Sequence, residues 1–164
     1  MWPHSFFSRH PVADDCLTLG CMFPSDVFTR VDDELIEVLE ELRRREPIFH
    51  TRDFGTSVSD FDAAMAADYW EVGASGRRYS REFILRLFSR ESPVDAASVG
   101  WEMRDFGLRR VGDRTYLLTY TLQQGERLTR RATIWENTGG QWLVLYHQGT
   151  VVTGEEDASD LGGV

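Results

Sequence analysis

The sequence predicts an α+β domain in which three helices in its first half lead into a long curved antiparallel sheet. Apolar residues recur at helical spacing in three stretches between Asp32 and Ser89. From Ser98 onward the apolar period switches to two, in four segments parted by turn signals and with no crossover helix between them. The last two segments meet at Trp135-Glu-Asn-Thr-Gly-Gly-Gln-Trp142, where two tryptophans flank a Gly-Gly turn.

In chain order, residues 1–31 carry prolines and scattered aromatics without a period, and read as an irregular extension docked on the body through Trp2, Phe6, Phe7 and Phe23. The α+β domain spans 32–152. Its first helix places Leu35, Leu39 and Leu42 on one stripe, with acidic residues at its start and Arg43, Arg44 and Arg45 at its end, as the helix dipole favours. Pro47 stops it at Glu46. A second helix is expected over Asp60–Ala67, opened by Ser59 with Asp62 as a capping box. Tyr69–Val72 reads as a strand, Gly73–Gly76 as a turn and Arg77–Tyr79 as a short return strand. Ser80 caps a third helix running to about Ser89, with Phe83, Ile84, Leu87 and Phe88 inward. The four strands of the meander are Val99–Arg110, Thr115–Gln123, Arg127–Glu136 and Gln141–Val152. Residues 153–164 form a polar, acidic tail, expected to be disordered.

Composition narrows the function. A formal net charge of -9 disfavours nucleic acid and anionic membranes as partners. All 18 basic residues are arginine, so no lysine offers Schiff-base chemistry. Cys16 and Cys21 match no zinc spacing and read as two free thiols in a reducing, cytoplasmic setting. No apolar run suggests a signal peptide or a membrane span. No phosphate loop, metal spacing or Ser-His-Asp signature is present, and no cofactor is expected.

Register decides which side chains share a face. With Asn137–Gly140 closing the last turn, Trp135 is expected opposite Trp142, Thr133 opposite Val144, Arg131 opposite Tyr146 and Thr129 opposite Gln148. The Gln124-Gly125 turn then sets Tyr120 against Thr129, Leu118 against Arg131 and Tyr116 against Thr133. One face accordingly carries Tyr116, Leu118, Tyr120, Arg131, Trp135, Trp142, Tyr146 and Gln148. His147 falls on the other face with Leu117, Arg130, Ala132, Ile134, Leu143 and Leu145. A one-residue slip would exchange the sets. The Trp135 face, taken as the concave one, looks like a pocket lining: apolar rings with a few placed polar groups. Its expected lining is Trp70, Tyr116, Tyr120, Arg131, Trp135, Tyr146 and Gln148.

The stretch Tyr69-Trp-Glu-Val-Gly-Ala-Ser-Gly-Arg77 and the ending Trp142-Leu-Val-Leu-Tyr-His-Gln-Gly-Thr150 carry a resemblance. The chain is similar to the nuclear-transport-factor-2-like superfamily over about 32–152, and within it to the branch of domains of unknown function close to the SnoaL-like proteins. The resemblance implies a cone-shaped sheet, a pocket between sheet and helices, and a homodimer through the outer face. It leaves three functions open. The first is a small-molecule-binding domain whose ligand is a small apolar or weakly acidic molecule. The second is a cofactor-free isomerase, dehydratase or polyketide-cyclase-type enzyme, with Glu71 or His50 as base and Tyr120 as helper. The third is an oligomerisation scaffold. Glu71 has a structural alternative as an ion-pair partner of Arg77, and His50 and His147 as hydrogen-bonded structural histidines. Asp105 is a weaker carboxylate candidate. Glu71 or His50 beside a tyrosine hydroxyl in an open cavity would favour the enzyme; Arg131 among aromatics alone would favour binding an acid.

Overall fold

The computed structural model describes residues 28–154. The docking expected of Trp2, Phe6, Phe7 and Phe23, the state of Cys16 and Cys21, and most of the acidic tail fall outside the described residues. A 3-10 turn at Asp33–Leu35 leads into helix α1, Ile36–Arg43. Then come α2 (Val58–Ala64), strand β1 (Met65–Val72), β2 (Arg78–Ser80) and α3 (Arg81–Phe88). The meander follows as β3 (Glu102–Arg110), β4 (Thr115–Gln124), β5 (Arg127–Thr138) and β6 (Gln141–Val151). Together the strands make one six-stranded sheet in the order β2-β1-β6-β5-β4-β3.

The predicted α+β architecture is present. Its local chemistry differs from expectation where caps compete. The capping box opening α2 is Ser57 with Asp60, not Ser59 with Asp62: the Ser57 side chain accepts from the Asp60 amide, and Asp60 accepts from the Ser57 amide at 2.9 Å. The helix therefore starts earlier, and the residues after Ala64 extend β1 to eight. Ser80 caps α3 by accepting from the Phe83 amide at 3.3 Å. β1 joins β6 in parallel, with Glu71 beside His147, so the meander's last strand becomes a central strand.

Both hairpin registers are two residues tighter than the sequence suggested. Gly139 and Gly140, at φ 62° and 91°, make a two-residue turn that left-handed backbone requires, and it pairs Thr138 with Gln141. Trp135 thus faces Val144, and across β4 Tyr116 faces Trp135, Leu118 faces Thr133 and Tyr120 faces Arg131. A shift of two keeps every side chain on its face. A shift of one does not, and β6 contains one: Trp135 pairs with Val144 but Ile134 pairs with Tyr146, leaving Leu145 as a bulge. Beyond it the parity of β6 reverses.

The helices cover the inner face of the sheet. Leu35, Leu39, Leu42, Phe54, Phe61 and Ile84 pack on Leu118, Leu122, Trp135 and Val144 in one core. Phe49 sits at its centre with Phe54, Phe61 and Phe88 around it, centroids 4.9, 5.5 and 5.3 Å away. No helix among the described residues is long and apolar enough to cross a membrane.

Candidate functional site

The bulge decides what the inner face presents. His147, expected on the outer face, is turned inward and buried. Tyr146 and Gln148, expected inside, lie on the outer face, where Tyr146 packs against Trp70 with centroids 4.7 Å apart and donates to Gln148 Oε1 at 2.7 Å. Trp70 is itself outward and 44% exposed. Glu71, one residue on, therefore points in.

An internal cavity of about 220 Å³ lies between α3, the loop after α1 and the inner face. His50, Glu71, Arg131 and His147 converge on it, with Ile48, Phe88 and Trp101 among its apolar walls. Three more expected lining residues stay on the inner face but are packed into the core under the helices. Tyr120 and Trp135 are buried, and Tyr116 packs edge-on against Trp142 at 5.4 Å. Larger depressions, of about 680 and 690 Å³, lie beside Arg43, Arg44 and Arg52 and on the outer face around Asp105, Arg130 and Gln148. Asp105 is engaged there by Arg104 and, at 3.5 Å, by Arg130.

Arg131 enters the cavity on β5. Gly149 stands opposite it, and a Cβ at that glycine would come within 3.0 Å of Nη1, so the guanidinium occupies space that only glycine leaves free. Its partners are neutral: Nε donates to Thr129 Oγ1 at 2.9 Å, Nη2 to Gln124 Oε1 at 3.3 Å and Nη1 to His147 Nε2 at 3.2 Å. Among the described residues no carboxylate forms an ion pair with it. Burial, then the positive Arg131, push His147 down to about 3. His50 donates through Nδ1 to the Val94 carbonyl at 2.8 Å, since a carbonyl only accepts, which leaves Nε2 of the neutral ring as an acceptor. Burial is also the main cause of its lowered pKa.

Glu71 does not pair with Arg77. Its Oε2 accepts from the Tyr69 hydroxyl at 2.6 Å, and burial raises its pKa against the opposing effects of that bond and of Arg131. Tyr69 is 2% exposed and does not line the cavity; Glu71 does.

Sequence reasoning passed over Glu46, the acid used only to mark the end of α1. It is 2% exposed. Oε2 accepts from Tyr120 Oη at 2.8 Å and from the Ile48 amide at 3.0 Å, and Oε1 from Trp135 Nε1 at 3.2 Å. Complete burial outweighs these bonds and raises its pKa to about 7. A signal was present: a carboxylate closing a helix opposes the dipole, so an acid after three arginines asks for a partner elsewhere. Among the described residues no group of three or more His, Cys, Asp or Glu could hold a metal ion.

No protein-family model matches the sequence, and no curated protein matches it. Solved structures do match. The chain is similar to a protein of unknown function from the DUF3225 family of Pectobacterium atrosepticum, with 18% identity, a TM-score of 0.56, and 80% of this chain and 99% of that one covered. It is also similar to a cystatin-like fold protein of Burkholderia xenovorans, with 12% identity, a TM-score of 0.56 and coverage of 75% and 95%. A third is an NTF2-like protein of unknown function in nutrient uptake from Rhodospirillum rubrum, with 18% identity, a TM-score of 0.50 and coverage of 74% and 100%. The chain therefore has the cystatin-like α+β fold of the nuclear-transport-factor-2-like proteins.

Proposed function

We propose that this chain is a small-molecule-binding domain whose internal cavity takes a small, weakly acidic ligand with its acid group on Arg131. The observation that carries this is a part-buried guanidinium, aimed into a cavity, whose protein partners are all neutral. A part-buried arginine whose hydrogen-bond partners are all neutral keeps attraction for an anion, and its fork geometry suits a carboxylate. His50 and His147 stay uncharged there and add no competing positive site. Glu71 shares the cavity, its carboxyl raised above the ordinary glutamate range by burial. At about 220 Å³ the cavity is below the ~300 Å³ lower end of drug-sized sites, which limits the ligand to a small molecule.

Benzoate is a suitable probe. Titration followed by calorimetry is expected to show saturable binding that Arg131→Met weakens by roughly 10–100-fold, the loss of one or two charge-assisted hydrogen bonds. Equal binding by the two proteins would remove Arg131 from the site and with it this function.

One observation favours acid–base chemistry as a second reading. Glu71 lines the same cavity with its carboxylate held by Tyr69, as a base would be. The phenol that would polarise a substrate carbonyl is not at the cavity wall, which leaves Arg131 for that role. Exchange of a proton for deuterium at the carbon alpha to the carbonyl of a small ketone, abolished by Glu71→Gln, would support the enzyme; no exchange above the buffer rate would end it.

The outer face supports self-association. Trp70 and Val151 are 44% and 38% exposed on a sheet whose other side is covered, and Trp70 forms a pair with Tyr146. A homodimer through this face is part of the proposal.

A further inference from the structure

The hydrogens around Arg131 are fixed by valence. A guanidinium only donates, so His147 Nε2, 3.2 Å from Nη1, has to accept. A neutral imidazole carries a single N–H, which is thereby assigned to Nδ1. Nδ1 lies 2.9 Å from Thr133 Oγ1 and donates to it. The relay begins at a group that cannot accept, so His147 and its bond to Thr133 have one orientation open to them. Thr133, at 0% exposure, has no water to take its place.

We propose that Thr133 and His147 are positioning residues of the cavity: a one-way hydrogen-bond relay, Arg131 to His147 to Thr133, that holds the guanidinium with its remaining N–H groups toward an acidic ligand. The inference deepens the binding function proposed above and rests on it for its ligand, but the relay itself can be read without any ligand. Register places the members together: Thr133 and His147 are direct partners across β5 and β6, and the Leu145 bulge is what turns His147 toward Thr133.

The test uses the whole chain with 15N-labelled histidine at neutral pH, where burial keeps His147 uncharged. Ring-nitrogen shifts distinguish the two neutral tautomers. His147 is expected as the Nδ1–H form in the wild type and in Thr133→Ser, which keeps the hydroxyl. In Thr133→Val, of nearly the same shape, Nδ1–H has no acceptor and the tautomers are expected to mix. Benzoate affinity should stay within about twofold in Thr133→Ser and fall about tenfold in Thr133→Val, as expected for one lost hydrogen bond. A purely structural threonine would lower stability in Thr133→Val and leave both readouts unchanged. An Nε2–H tautomer in the wild type, or an unaltered tautomer in Thr133→Val, overturns the relay. Should the wild type bind no benzoate, the anion site fails as a function, and the tautomer alone upholds or overturns the relay.

Discussion

Glu46 and His147 are both buried and both shifted, in opposite senses, and their effects on stability oppose one another. Glu46 is raised from 4.5 to about 7, so its contribution is full below 4.5 and is lost as pH rises through about 7. His147 is lowered from 6.5 to about 3, so its contribution is full above 6.5 and is lost as pH falls toward about 3. Between 4.5 and 6.5 the two slopes nearly cancel. Glu46→Gln is expected to gain about 2 kcal/mol on going from about pH 5 to about pH 8, and His147→Asn to lose about as much, each relative to the wild type. Urea denaturation at the two pH values measures it; parallel profiles for all three proteins would show that neither group titrates as buried. Glu46 was not legible as a functional residue, and His147 was legible as a chemical candidate but expected on the outer face. Glu46 precedes a proline and serves as helix punctuation, and its donors Tyr120 and Trp135 come from strands far along the chain. Arg131 was legible, because its place on β5 depends on turn parity, which a two-residue error leaves intact.

At the level of elements, α2 is a helix of seven residues and depends on its first turn more than a long helix would. Ser57→Ala removes one half of the capping box and is expected to cost about 1 kcal/mol, or roughly 2–4 °C in Tm. A melting curve superimposable on the wild type would place the helix under tertiary control alone. The order of helices and strands followed from apolar periods that a single sequence displays, and Ser80 and the four-stranded meander were legible from it. Of the stripe expected inward on α3, Ile84 and Phe88 pack on the core, while Phe83 and Leu87 are 41% and 40% exposed. The choice between Ser57 and Ser59 was not legible, since both stand three residues before an aspartate. The parallel junction of β1 with β6 was not legible either: no local pattern states which edge a strand will join. Least legible was the bulge at Leu145, where the run Trp142–Tyr146 is apolar throughout and carries no alternation that would reveal an extra residue.

At the level of the whole molecule, helices among the described residues occupy one side of the sheet, and the other side carries the exposed Trp70, packed against Tyr146. A dimer through that side predicts that Trp70→Arg sediments as a monomer at concentrations where the wild type sediments as a dimer, while benzoate binding inside the sheet persists. A wild-type monomer, or a dimer unaffected by Trp70→Arg, would contradict it. Cavity and outer face are separate in space but share a strand, and the bulge is where that strand changes its allegiance. Before Leu145, β6 serves the core with Trp142 and Val144; after it, the strand serves the cavity with His147 and Gly149. One inserted residue thus acts as a reading frame for the strand. In the other frame the same letters would offer a tyrosine and a glutamine to the ligand and a histidine to the neighbouring protomer, so insertion and deletion at this point could exchange the two surfaces without altering a single side chain.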